Sequence, residues 1–272
     1  MNLDKKHNCP ICKKISTFIF TSQHNRKIYQ CVNKECGHFF TPIAHSAQGI
    51  CARDENIEEE SNQAMSIFGE RNKRLLNLFS NLLDKQIGVK KPLIFLDYGA
   101  GNAHISRTFK NQLQTNVLIY CLETNPACQD FYQKYELLFL ETLSDLTEKI
   151  DLVYMIEVIE HLEDPIKAIS QLSQIIKNDG MIFLSTPVGR ILESKTNAYD
   201  TPSHLHFFTE NSLNLTLQMS GFTDIAFKYY PEMYPLPSTL SKIKIYIKLM
   251  LEKFSGANSI EHLVGFTKPR KT

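Results

Sequence analysis

Several features are missing from this 272-residue sequence, and each absence removes a class of explanation. A large charge imbalance is missing: the formal net charge is +1. The whole chain therefore lacks the electrostatic footprint of a nucleic-acid binder, although a neutral total leaves room for local patches. No uninterrupted apolar run approaches the roughly 20 residues that a membrane-spanning helix needs. The first ten residues, MNLDKKHNCP, contain no apolar stretch of the secretory type. Internal repeats are absent too. A cytoplasmic protein is the expectation, and in that reducing compartment cysteines point to metal ligation or burial rather than to disulfides.

Cysteines are present, and unevenly placed. Cys9-Pro-Ile-Cys12 and Cys31-x4-Cys36-Gly-His flank two strand-like runs, STFIF and RKIYQC, joined by the turn residues TSQHN. Two cysteine knuckles around a hairpin match a zinc ribbon in which Cys9, Cys12, Cys31 and Cys36 give tetrahedral Zn²⁺ four thiolates. The second knuckle is longer than the usual Cys-x2-Cys, and His38 is the alternative to Cys36 as fourth ligand. So short a segment has little core of its own, so metal would supply much of its stability. A site closed by four protein ligands predicts a structural role. Cys51, Cys121 and Cys128 follow no ligand spacing.

A charged connector, RDENIEEESNQ, leads into a predicted helix running to about residue 85. A βα rhythm follows. Strands are expected at 92–98, 116–123, 137–140, 151–156 and 180–186, and helices at about 103–113, 126–134 and 165–177. Continuous apolar strands alternating with helices predict a parallel sheet covered on both faces. Later segments read as a helix at 210–219 and strands at 224–230 and 262–268. A basic amphipathic helix is expected within 241–254, serving as a lid or packing helix or as a membrane-surface contact.

Two stretches carry chemistry. In LDYGAGNA, Gly99 and Gly101 let the chain turn sharply and approach a ligand closely at the end of the first βα strand. In CLETNP, Glu123 ends the next strand, where an acid can take hydrogen bonds from ribose hydroxyls. A glycine turn with a second-strand acid is an adenosine-binding arrangement. The dinucleotide fingerprint requires a third glycine, and Ala103, His104, Ile105 and Ser106 stand there instead. Asp97 precedes the first glycine.

The second stretch is EVIEHLEDP, Glu157 to Pro165. Asp164 and Pro165 read as the N-cap and first residue of a helix, which leaves 157–163 as the loop at a strand's carboxyl end. Ligand crevices form there in open α/β sheets. If the turn is helical, Glu157, Glu160 and His161 share a face. With His204 or His206 from HLHFFT they form a set suited to Mg²⁺ or Mn²⁺. A second reading needs only an imidazole, foremost His161, to accept a hydroxyl proton near neutral pH. The third is a polar turn whose side chains only orient the loop.

LDYGAGNA, CLETNP, DLVYMIEVIEHLEDP, GMIFLSTP and HLHFFT, in this order and spacing, resemble the class I S-adenosylmethionine (SAM)-dependent methyltransferases. The nearest subgroup is similar to the ubiquinone-pathway O-methyltransferases, over roughly residues 75–230. The resemblance implies a Rossmann-like α/β fold, a seven-stranded mostly parallel sheet with helices on both faces, plus the zinc-ribbon hairpin. It implies cofactor contacts from Asp97, Gly99, Gly101, Glu123, Glu141, Thr142, Ile156 and Glu157, with His161, Glu160 and His204 on the acceptor side. Glu141 and Thr142 depart from the Asp-Ala or Asp-Leu frequent in that family. The expected domains are a ribbon at 1–45, a linker and helix at 46–90, and a methyltransferase domain at 91–272. The expected reaction is O-methyl transfer to a small metabolite or glycan precursor. An RNA methyltransferase is the rival, since the ribbon carries Lys5, Lys6, Lys13, Lys14, Arg26, Lys27 and Lys34. A non-catalytic binding protein with the same fold is the third reading.

Overall fold

The structure is a computed structural model that describes residues 7–42, 56–83, 92–113, 117–187, 201–231 and 261–269. The expected amphipathic helix at 241–254, Lys5, Lys6 and Cys51 lie outside the described residues. In chain order the elements are β1 (Ser16–Thr21), β2 (Lys27–Cys31), β3 (Phe39–Phe40), α1 (Ile57–Leu83), β4 (Leu93–Tyr98), α2 (His104–Gln112), β5 (Val117–Leu122) and α3 (Cys128–Lys134). They continue as β6 (Leu138–Leu140), β7 (Ile150–Ile156), α4 (Pro165–Ile175), β8 (Ile176–Pro187), β9 (His206–Phe207), α5 (Glu210–Met219), β10 (Phe222–Pro231) and β11 (Glu261–Pro269). The chain divides into two compact units, 51–154 with 230–261, and 1–50 with 155–229 and 262–272.

In the first unit four strands run parallel in the order β7-β4-β5-β6. The register sets Phe95 against Leu152 and Ile119, and Asp97 against Tyr154 and Cys121. These strands read as nearly continuous apolar runs because a parallel sheet is buried on both faces. Phe95, Leu96, Ile119, Leu152 and Val153 are fully buried, together with Phe109 from α2 and Tyr132 from α3. Helix α1 is held by polar contacts as well. The buried Arg107 of α2 donates to Ser61 Oγ at 2.6 Å and to Asn62 Oδ1 at 3.0 Å, and its guanidinium lies 3.7 Å from the Tyr135 ring centroid.

The second unit holds the small antiparallel sheet β1-β2-β3-β9 and the strand series β10-β11-β8. Strand β11 runs antiparallel to β8, with Val264 opposite Ser185. Helix α4 starts where the sequence places it: Asp164 caps it by accepting from the Lys167 backbone N–H at 3.0 Å, and Pro165 follows at the first helical position. It passes directly into β8 at Ile176, four residues before the expected strand start, because Ile176 is already extended (φ −75°, ψ 141°). Pairing of β3 with β9, Phe39 opposite Phe207 and Phe40 opposite His206, ties the cysteine-rich hairpin to the segment before α5. HLHFFT carries no strand period over so short a run, and only this pairing makes it one.

Candidate functional site

The glycine turn is built by backbone conformation first. Gly99 (φ 75°) and Gly101 (φ 51°) are left-handed, a region open to glycine without steric cost. A Cβ at Gly101 would meet nothing within 4 Å, so the left-handed dihedral alone favours glycine there and the space beside it is open. Gly99 N–H and Ala100 N–H both donate to the Leu122 carbonyl, at 3.0 and 3.1 Å. Glu123 closes the turn from the end of β5. Its Oε2 accepts from Gly101 N–H at 3.0 Å, and its Oε1 from Thr124 and Asn125 N–H at 2.8 and 3.1 Å. Thr124 Oγ1 adds a third donor to Oε1 at 3.3 Å, whereas Oε2 accepts from Gly101 N–H, and with two lone pairs per carboxylate oxygen one position on Oε2 is left for a hydroxyl donor.

Asp97 lies beneath this turn, 3% exposed, and accepts from Ser106 Oγ at 2.6 Å. Burial pushes its carboxyl up to about 7, the Ser106 hydrogen bond works the other way, and the Glu123 charge raises it further. Ala103 occupies the third-glycine position and is itself left-handed (φ 49°) at the entry to α2, a conformation that costs a residue with a Cβ about 1–2 kcal/mol. Thr142, exposed after β6, starts a short 3₁₀ turn, its N–H and hydroxyl both donating to Asp145 Oδ2 at 3.1 Å. Glu141 is exposed beside it, and Ile156 is buried at the end of β7.

The EVIEHLEDP loop is not helical from its start. Glu157 is left-handed (φ 56°), and the 3₁₀ turn begins only at Ile159. Glu157 therefore does not share a helical face with Glu160 and His161. It accepts instead from Ser185 Oγ at 2.6 Å, while its N–H donates to the Ser185 carbonyl at 3.0 Å. Glu160 is 1% exposed. Its Oε2 accepts from Thr186 Oγ1 at 3.0 Å, and among the described residues its Oε1 has no hydrogen-bond partner. Burial, with the Glu157 charge adding to it, raises the Glu160 carboxyl well above the usual range. His161 donates from Nδ1 to the Ser203 carbonyl at 3.0 Å, and burial lowers its basicity.

His204 folds back onto this loop. Its Nε2 lies 4.0 Å from Glu160 Oε1, and its ring meets the His161 ring edge to face at 4.7 Å. One candidate ligand atom from each of Glu160, His161 and His204 lies within 4.8 Å of the others. His206 takes the opposite direction: Nε2 donates to the Leu162 carbonyl at 2.8 Å, and Nδ1 faces His38 Nε2 at 3.0 Å. Two positions apart, the histidines would share a face of a regular strand, but His204 precedes β9 in a turn where its N–H donates to the Thr201 carbonyl at 3.1 Å, so only His204 joins the cluster.

In the cysteine module, Cys9, Cys12, Cys31 and Cys36 converge. Cys9 Sγ lies 3.8 Å from Cys36 Sγ, and Cys12 Sγ 3.3 Å from Cys31 Sγ. Tetrahedral Zn²⁺ with Zn–S near 2.3 Å sets neighbouring sulfurs about 3.8 Å apart, so the four residues fit that ion. The longer second knuckle is absorbed by a turn at Asn33, whose carbonyl accepts from Cys36 N–H at 3.0 Å and Gly37 N–H at 2.8 Å, with Gly37 left-handed (φ 56°). His38 is not the fourth ligand. It is fully buried between His206 and Ser212 Oγ, the latter at 3.2 Å from Nδ1.

Sequence reasoning missed several contributors. Ser185 and Thr186 supply hydroxyls to Glu157 and Glu160, yet at the end of an apolar strand they read only as polar termini. Arg26, named among the ribbon's cations as support for RNA binding, is 3% exposed and donates from Nη1 to the His204 and Pro202 carbonyls at 2.6 and 3.2 Å. No local spacing signals that contact, because the partners stand 178 and 176 positions away in the chain.

Known proteins share parts of this chain. The profile of a family described as "Methyltransferase domain" matches residues 67–226, more than half of the sequence. The tRNA U34 carboxymethyltransferase of Campylobacter hominis is 38% identical over 52 residues, which make up 19% of this chain and only 18% of that protein. Among solved structures, the plantazolicin methyltransferase BpumL in complex with SAH superposes with a TM-score of 0.52 at 16% identity, over 79% of this chain and 89% of that one. The [4+2]-cyclase SpnF superposes with a TM-score of 0.50 at 12% identity, over 71% and 81%. At such identities the likeness shows the fold alone. Among the described residues, no helix is long and apolar enough to cross a membrane.

Proposed function

Because the chain belongs to the methyltransferase-domain family, we propose that it binds S-adenosylmethionine and transfers its methyl group to a hydroxyl of a small metabolite or glycan precursor. The observation that carries this reading is the glycine turn locked to Glu123. Backbone donors fix the carboxylate at the end of β5 and leave open space at Gly101. On this reading Glu123 accepts from the ribose hydroxyls, Gly99 and Gly101 admit the amino-acid portion, and Asp97 holds the turn from below. When bound, S-adenosylmethionine supplies an electrophilic sulfonium methyl group.

The chain's own task is then alignment and management of the acceptor proton. His161 serves that task as a neutral imidazole: Nδ1 carries its proton toward the Ser203 carbonyl, which leaves the lone pair on Nε2. Burial keeps the ring neutral at working pH, the form able to accept a proton. Glu160, neutral by burial, and His204 stand beside it. In the metal reading the same three side chains would instead hold a Mg²⁺ or Mn²⁺ ion, with Glu160 ionised and the His161 Nε2 lone pair given to the ion, which would supply charge stabilisation to an ionising hydroxyl.

Calorimetric titration with S-adenosylhomocysteine tests the assignment. Binding at one site per chain is the expected result, and no binding removes the enzyme reading in favour of a role for the fold without methyl transfer. RNA as acceptor is a second reading, favoured by the short likeness to a tRNA-modifying enzyme and by exposed Lys13, Lys14, Lys27 and Lys34 on the cysteine module. Salt-dependent RNA binding abolished by neutralising those lysines would decide for it.

A further inference from the structure

We propose that Arg26 is a positioning residue that fixes the ring tautomer of His161, acting through the Pro202–His204 backbone; this rests on reading His161 as the acceptor-side base. The chain of contacts starts at the tip of the β1–β2 hairpin. There Ser22 N–H donates to the Arg26 carbonyl at 2.8 Å, and Asn25 turns through a left-handed conformation (φ 56°). That turn buries the Arg26 side chain and sets its guanidinium 5.9 Å from the Phe207 ring centroid.

From this position one nitrogen, Nη1, reaches two carbonyls, Pro202 at 3.2 Å and His204 at 2.6 Å. These two carbonyls flank Ser203. The Ser203 carbonyl, in turn, is the group that His161 Nδ1 meets at 3.0 Å. A carbonyl oxygen can only accept, so Nδ1 must carry the hydrogen, and in a neutral imidazole the lone pair is then on Nε2. Arg26 touches neither ring of the cluster. It holds both neighbours of the one carbonyl that chooses the tautomer.

Other ties reach the same segment farther along the chain. Leu205 N–H donates to the Glu160 carbonyl at 2.9 Å and Thr41 N–H to the Leu205 carbonyl at 3.0 Å. They fix Leu205. The peptide plane that carries the Ser203 carbonyl is set by the His204 N–H, which donates to the Thr201 carbonyl at 3.1 Å, and Arg26 holds that turn from the carbonyls on either side. Lysine would not reproduce the clamp, because its ammonium is a point charge on a flexible stem whereas guanidinium donors have a fixed planar fork. The cysteine module thereby becomes part of the acceptor-side machinery: the sheet it carries brings Arg26 to Pro202 and His204.

Long-range ¹H–¹⁵N correlation on the zinc-loaded full chain, labelled at histidine nitrogen, reads tautomers directly, with His161→Asn to assign the signals. Wild-type His161 is expected as the Nδ1–H form, and an Nε2–H form there overturns the proposal. In Arg26→Gln the Nδ1–H to Nε2–H ratio is expected to fall at least about fivefold, the loss of one typical hydrogen bond; an unchanged ratio overturns it. Should the glutamine variant fail to fold, Arg26→Lys is read in its place, with a ratio expected below wild type, and equality with wild type refutes the clamp. A purely structural Arg26 would lower thermal stability without moving the tautomer. Calorimetry with S-adenosylhomocysteine on the wild type tests the parent reading separately, so the two failures are distinguishable.

Discussion

Replacing Asp97 by asparagine should change how the stability of this protein depends on pH. Asp97 is buried and keeps its proton up to about pH 7 in the folded chain, against 3.8 as the ordinary value. Between those two values the native state binds more protons than the unfolded chain, so stability falls as pH rises, and the loss is complete above about pH 7. Three units at ~1.4 kcal/mol each amount to roughly 4 kcal/mol in total, of which roughly 2–3 kcal/mol accrues between pH 5 and pH 8. An asparagine side chain does not ionise, so that loss disappears in the variant. Its amide oxygen can still accept from Ser106, while a buried NH₂ without an acceptor costs about 1–3 kcal/mol at every pH. The offset is constant; the slope is not. Urea unfolding of wild type and Asp97→Asn at pH 5 and pH 8 should therefore show the variant gaining roughly 2–3 kcal/mol relative to wild type on going to the higher pH. Zinc loss at pH 5 would affect both proteins alike. Parallel pH profiles would refute the reasoning, because a carboxylate solvated or paired in the native state gives no such difference.

Other outcomes follow from the same geometry. Glu123→Ala leaves the Gly101, Thr124 and Asn125 N–H groups without their acceptor, and S-adenosylhomocysteine affinity measured by calorimetry should fall at least tenfold, or about 1.4 kcal/mol. Glu160→Gln should raise stability at neutral pH and flatten its decline above pH 5, since the native carboxyl holds its proton while the unfolded one loses it; equal pH slopes in chemical denaturation would count against a buried, neutral Glu160. One zinc per chain should be found by elemental analysis, and Cys9→Ser should lose it together with the hairpin, seen as lost β-sheet dichroism. Ala103→Gly relieves a left-handed Cβ and should raise the melting temperature by a stability gain of up to about 1 kcal/mol.

The sequence by itself determined the strands of the βα series, the order of its units and the helix start at Asp164-Pro165. Period and capping are local properties, carried by neighbouring side chains and their backbone preferences. It also identified the four cysteines, since metal ligands must come in tight pairs, and marked Gly99, Gly101 and Glu123 because only certain residues suit a turn that approaches a ligand. Tertiary structure decided what lay beyond a few residues' reach. It turned Glu157 toward Ser185, sent His204 from the turn before β9 to Glu160 while His206 took the Leu162 carbonyl, and made His38 a buried partner of His206 instead of a zinc ligand. It took Arg26 out of the ribbon's set of RNA-binding cations and set it on the carbonyls of Pro202 and His204. Each of these outcomes depends on long-range strand pairing and on the desolvation of charged groups, and neither is written in local spacing.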